Sequence, residues 1–157
     1  MNRAHSAKDL MSPHIMTVAD DMTTDDLARY LVEHEISGAP VVDDQGHLVG
    51  VVSMTDIGRN VAEPAQAGSS GESGFNRDDA PDLTIEDFGQ RYVDERAVLV
   101  RDVMTAAVRQ VTVTASVAAV ARLMVEQHIH RVVVTQGKEP VGIITSMDLL
   151  KWVADQA

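Results

Sequence analysis

The sequence has no cysteine, which excludes disulfides, thiolate zinc sites and thiol nucleophiles. No apolar run comes near the roughly 20 residues that a membrane-crossing helix needs, so no membrane contact is expected. The opening residues, MNRAHSAKDLM, lack the apolar core of an export signal, and a cytoplasmic setting is the expectation. There is no GxxxxGK phosphate loop, no nucleophile patterned with a base, and no cluster at metal-ligand spacing. An enzyme is therefore not expected, and no obligatory cofactor or bound metal is implied. Basic residues are few as well, 13 against 24 acidic ones, for a net charge of −11. Without a basic stripe the chain is poorly suited to neutralising nucleic-acid phosphates, so nucleic acid is not an expected partner.

What is present is 157 residues of 45% hydrophobic composition, enough for one medium domain or two small ones sharing a core. The charge is unevenly spread. Residues 7–60 hold 3 basic and 10 acidic side chains (net −7), residues 61–97 hold 3 and 9 (net −6), and residues 98–157 hold 6 and 5 (net +1). A bound phosphate would meet the least repulsion in the last third.

The chain aligns with itself at an offset of 92 to 95 residues. DLMS (9–12) matches DVMT (102–105), and MTV (16–18) matches VTV (111–113). LARYLVEHEI (27–36) matches VARLMVEQHI (120–129), and GVVSMTDI (50–57) matches GIITSMDL (142–149). Each copy reads as a short apolar strand, Met16–Val18 or Val111–Val113, followed by a helix. The helix has Leu27, Ala28, Leu31 and Val32 on its apolar face in the first copy, and Val117, Val120, Ala121, Met124 and Val125 in the second. GAPVV then turns through DDQG into LVGVVS, and RVVVT turns through QGKE into PVGIIT, as two hairpins. A final helix starts near Asp56 or Asp148. The fold class expected is α+β, two β-α-β-β-α repeats over residues 7–60 and 98–155.

Residues 61–97 separate the copies. Their Gly, Ser, Pro and acid content over 63–82 predicts a mobile linker, and Ile85, Phe88 and Tyr92 predict a short amphipathic helix over Thr84–Arg96 behind a Thr84 cap.

The opening D-hydrophobic-M-[ST], the strand–helix–hairpin order and the closing G-h-h-[ST]-x-x-D, each found twice, resemble a tandem pair of CBS domains, the Bateman module. The resemblance implies two repeats packed with pseudo-twofold symmetry, commonly a homodimer of such pairs, and adenosine-type ligands in clefts between the copies. Asp56 and Asp148 suit the ribose diol, since a carboxylate accepts charge-assisted bonds from both hydroxyls. Ser53 and Thr145 stand where a hydroxyl and a helix start can meet a phosphate. Gly50 and Gly142 are expected to let a flat base approach the backbone. By the resemblance, the base lies against Met16, Thr17 and Ala39 in one copy and Val111, Thr112 and Val132 in the other. His130 and Arg131 match a basic pair that contacts phosphate, where the first copy has Ser37 and Gly38, so the second site should be the tighter.

Helix capping is the plain alternative for Ser53 with Asp56 and Thr145 with Asp148, each cap contributing about 1 kcal/mol with no ligand. His128 and His130 read as solvated histidines, Met124 and Met147 as core and pocket lining, and Trp152 as a packing residue. The expectation for function is a stand-alone regulatory module binding an adenosyl ligand of the AMP, ATP, NAD or S-adenosylmethionine class. AMP comes first among these, and the module would signal as a homodimer to a separate effector protein. The alternatives are a structural or dimerisation module with empty clefts, and a divalent-ion sensor suggested by the acidic first copy.

Overall fold

The structure, a computed structural model, describes residues 5–62, 75 and 97–156. In chain order the elements are α1 (Ala7–Leu10), β1 (Val18–Ala19), α2 (Thr24–Glu33), β2 (Gly38–Val42), β3 (Leu48–Ser53) and α3 (Met54–Ala62). The same order follows as α4 (Val100–Val103), β4 (Gln110–Thr112), α5 (Val117–Gln127), β5 (Arg131–Gln136), β6 (Glu139–Thr145) and α6 (Ser146–Gln156). The class is α+β, with two three-stranded sheets ordered β1-β2-β3 and β4-β5-β6. In each, the first pair of strands is parallel and the second is an antiparallel hairpin.

The long helices start at side-chain caps. Thr23 Oγ1 accepts from Asp26 N at 3.2 Å, and Ser116 Oγ accepts from Ala119 N at 3.2 Å. Their apolar stripes bury Leu27, Ala28 and Leu31 in α2, and Val117, Val120 and Met124 in α5. Val32 and Val125, read as members of the same stripes, are exposed instead. Each follows a buried residue by one position, about 100° round the helix, and so falls outside the arc that meets the sheet. Met147, read with Met124 as core and pocket lining, is also exposed on α6.

The first strand of each repeat is displaced from its expected place. β1 is Val18–Ala19 rather than Met16–Val18, and β4 is Gln110–Thr112 rather than Val111–Val113. Val18 pairs with Val41 and Val111 with Val134, so the structural equivalent of Val18 is Val111, at an offset of 93. Aligning MTV with VTV had set the second copy two residues too far along. β4 is also one residue longer than β1. Val133 N donates to the carbonyl of Arg109 at 3.2 Å, whereas Pro40, its counterpart, has no N–H to donate.

The chain divides into two compact units that do not coincide with the two sequence repeats. One unit runs from Met16 to Val108; the other joins the residues up to Ile15 to those from Arg109 onward. The opening segments are therefore exchanged. Val100 and Val103 of α4 enter the core of the first unit with Leu27, Leu31, Val41 and Ile57. Ala7 of α1 enters the core of the second with Val120, Met124, Val132 and Ile144. The aspartate of each opening motif caps its short helix, Ser6 N donating to Asp9 Oδ2 at 2.8 Å and Leu99 N to Asp102 Oδ2 at 3.0 Å.

The final residue of each opening motif then adds an antiparallel bridge beside the hairpin. Ser12 and Ile143 exchange two backbone bonds of 2.9 and 3.3 Å, and Val51 and Thr105 exchange two of 2.9 and 3.0 Å. This covers an edge that would otherwise present unpaired backbone groups.

The helix expected over 84–96, and the mobile linker over 63–82 apart from Phe75, lie outside the described residues. Phe75 itself is fully buried.

Candidate functional site

In each repeat the closing motif sits where the last strand hands over to the last helix. In the second, Thr145 ends β6 and Ser146 opens α6. Thr145 N donates to Asp148 Oδ2 at 2.8 Å and Thr145 Oγ1 donates to the same oxygen at 2.9 Å. Ser146 N donates to the carbonyl of His130 at 2.9 Å, and Arg131 is the register partner of Thr145. Four of the expected residues, His130, Arg131, Thr145 and Asp148, are thus gathered at the start of an 11-residue helix. His130 is exposed and the other three are half-buried.

The first repeat is built on the same plan. Ser53 N donates to Asp56 Oδ2 at 2.8 Å, Ser53 Oγ donates to it at 3.0 Å, and Asp56 N donates to Ser53 Oγ at 3.3 Å. Met54 N donates to the carbonyl of Ser37 at 3.0 Å, and Gly38 is the register partner of Ser53. The surroundings differ. Arg59 Nη1 lies 3.7 Å from Asp56 Oδ1, so both carboxylate oxygens are engaged. Ser53 is 1% and Asp56 4% exposed, against half-buried Thr145 and Asp148.

The other expected residues are placed less directly. Ala39 and Val132 are fully buried with their side chains in the two cores, so only their backbone is available to a ligand. Met16 and Thr17, half-buried, immediately precede β1. Val111 and Thr112 lie within β4 opposite Val134 and Thr135, further along β5 than Val132. The true counterparts of Met16 and Thr17 are Arg109 and Gln110. Sequence reading missed Arg109, an exposed cation at the start of β4; holding the offset at 93 would have found it.

The glycines serve a different purpose from the one expected. A Cβ on Gly142 would lie 2.5 Å from Met11 Sδ and 2.9 Å from the Ser12 carbonyl. A Cβ on Gly50 would lie 2.6 Å from Met104 Sδ and 3.0 Å from the Thr105 carbonyl. These positions admit the methionine of the exchanged opening segment rather than a flat base. Among the described residues, no group of three or more His, Asp or Glu side chains is placed to hold a metal ion.

This fold, with its doubled strand–helix junction, defines a CBS-domain pair. The chain matches the CBS-domain family over residues 7–63 and 100–155, and it belongs to that family. It is 31% identical over 146 residues to an uncharacterised protein of Methanocaldococcus jannaschii, covering 93% of this chain and 31% of that one. It is 32% identical over 149 residues to a second from that organism, covering 92% and 88%. The chain thus spans about a third of the first relative's length and most of the second's. A CBS-pair protein of Arabidopsis thaliana, solved in complex with AMP, superimposes at a TM-score of 0.69 with 24% identity, covering 97% of this chain and 98% of that one. A CBS-domain pair solved with 5′-methylthioadenosine and S-adenosyl-L-methionine superimposes at 0.67 with 22% identity, covering 98% and 99%. Among the described residues no helix is long and apolar enough to cross a membrane.

Proposed function

We propose that the chain is a regulatory, non-catalytic module that binds an adenine nucleotide or related adenosyl ligand, AMP first among them, at the strand–helix junction of the second repeat. The observation that carries this reading is the grouping of Thr145, Asp148, His130 and Arg131 at the start of α6. Both cap bonds fall on Asp148 Oδ2, which leaves Oδ1 for the hydroxyls of a ribose. The α6 N-terminus and Thr145 face a phosphate, and His130 and Arg131 neutralise it. Arg109, immediately before β4, is a further exposed cation of this repeat. The similar structures holding AMP, 5′-methylthioadenosine and S-adenosyl-L-methionine support the ligand class. The reading carries with it a cytoplasmic setting, a homodimer, and an effector protein that senses occupancy, because a ligand shifts an equilibrium only through different affinities for its states.

Calorimetric titration with AMP, ADP, ATP, NAD and S-adenosylmethionine tests it. At least one should bind in the micromolar range, and Asp148→Ala should abolish the tightest event. Arg131→Ala should weaken AMP about 10- to 150-fold, the equivalent of about 1.5–3 kcal/mol for a charge-assisted bond, and leave adenosine nearly unchanged. Flat titrations with all five ligands would overturn the reading. A structural or dimerisation module would then lead, favoured by the fact that each motif aspartate already accepts two cap bonds without a ligand. A divalent-ion sensor has less support, because the acids of the first repeat do not converge on a metal-holding group among the described residues.

A further inference from the structure

The two junctions differ in burial, and Phe75 lies beside the more buried one. The chain has five aromatic residues besides histidine, and this one comes from a stretch of Gly, Ser and acid yet is 0% exposed. It belongs to neither core cluster. Along β2, Ala39 and Val41 point into the core beneath α2 and α3. By alternation Gly38 points to the opposite face of the sheet, and so does its register partner Ser53. A Cβ on Gly38 would stand 3.2 Å from Phe75 Cδ2 and 2.6 Å from the Val52 carbonyl. The ring of Phe75 therefore lies over Gly38 on the face that carries Ser53. In the second repeat the same register position holds Arg131, opposite Thr145. Glycine in one copy and arginine in the other separates a junction that takes in an aromatic ring from one that presents a cation.

We propose that Phe75 is a built-in occupant of the first junction: it closes Ser53 and Asp56 to ligands, so the chain has one open adenosyl site instead of two. This rests on the ligand reading of the strand–helix junction given above. A phenyl ring is flat and apolar like a purine base, and Phe75 needs no carboxylate, which leaves Asp56 to pair with Ser53 and Arg59.

The absence of cysteine allows a test that needs no ligand. Ser53→Cys and Thr145→Cys each create a sole thiol for an aromatic disulfide reagent. The Ser53→Cys thiol should react about tenfold or more slowly than the Thr145→Cys thiol, and adding Phe75→Ala should bring the two within a few-fold. Equal rates with Phe75 in place, or no change on removing it, would overturn the proposal. Should Phe75→Ala fail to fold, Phe75→Cys as the sole thiol replaces it, and reaction as fast as a free peptide thiol would overturn the proposal equally. Titration with AMP then separates the two readings. The unaltered chain should take one AMP, lost in Asp148→Ala, and Phe75→Ala should gain a second, lost on adding Asp56→Ala. Two AMP in the unaltered chain, one of them lost in Asp56→Ala, would overturn the closure and leave the ligand reading standing. No AMP in either protein, with thiol rates as expected, would sink the ligand reading and uphold the occupied junction.

Discussion

At the scale of single residues, capping leaves room for the proposed ligand contact at Asp148, because both cap bonds fall on one carboxylate oxygen. Asp148 Oδ2 accepts from Thr145 N and from Thr145 Oγ1, which fixes the turn from strand to helix. The same bonds hold the carboxylate still, so under the proposed function a ribose would meet a preorganised acceptor. The two roles separate by substitution. Asp148→Asn keeps an oxygen for the Thr145 N–H but loses the charge, so AMP binding should fall by tenfold or more while stability drops by less than about 1 kcal/mol. Asp148→Ala should cost both the binding and about 1–2 kcal/mol of stability in thermal denaturation. Equal stability losses for the two variants would remove the cap from the explanation. The aspartates and hydroxyls were legible because the motif recurs with fixed spacing. Arg109 was hidden because identical letters in MTV and VTV outweighed the register, which only strand pairing reveals.

At the scale of elements, the opening and closing motifs form one device. The methionine of D-h-M-[ST] fills the space that the glycine of G-h-h leaves, and the [ST] residue bridges the strand edge beside it. No reading of a single repeat can find this, since Met11 meets Gly142 and Met104 meets Gly50, residues more than fifty positions apart in the chain. Helix stripes and hairpins were legible because their causes are local: i, i+3, i+4 spacing and alternating β-branched runs with turn residues. The exchange of α1 and α4 was not, because it depends on which edge and which gap each segment finds in three dimensions. The prediction that follows concerns Gly142. Gly142→Val should lower stability by about 1–3 kcal/mol, since the new carbons meet Met11 Sδ and the Ser12 carbonyl in a packed site. Denaturant unfolding of Gly142→Ala alone and with Met11→Ala gives the coupling. Part of the loss should return in the double variant, because the Met11 side chain is removed while the Ser12 carbonyl stays. Strictly additive losses would mean that Met11 is not what the glycine accommodates.

At the scale of the molecule, the two repeats have diverged in charge, in openness and in the surface they show to other chains. Ala118 and Ala119, small residues beside the buried Val120 on α5, are exposed but offer little apolar area. The larger exposed apolar side chains lie along α5 and α6. Val125 is 72% and Leu150 60% exposed there, with Met147 and Val153 exposed nearby. A groove of about 490 Å³ runs between the helices, floored by Met124, Ile129 and Leu149. Large apolar side chains gathered on one exposed face mark an interaction surface. The equivalent face of the first repeat is poorer, with Val32 at 40% exposure and Gly58 where the second has Leu150. It also belongs to the stretch of net charge −7, while residues 98–157 carry +1.

Two copies meeting through α5 and α6 would bury four apolar side chains each within a stretch of net charge +1; two meeting through the first repeats would oppose stretches of net charge −7. The expected assembly is therefore a twofold dimer in which each α5–α6 face meets its own copy, giving a self-complementary contact. Sedimentation equilibrium at tens of micromolar should return twice the 17.0 kDa chain mass. Leu150→Glu places a charge at the centre of that contact and should weaken the dimer by about 2 kcal/mol or more, over tenfold in dissociation constant. Val32→Glu, on the acidic repeat, should change it little. If Val32→Glu dissociated the dimer and Leu150→Glu did not, the pairing would run through the first repeats, and the apolar face of α5 and α6 would belong to another partner.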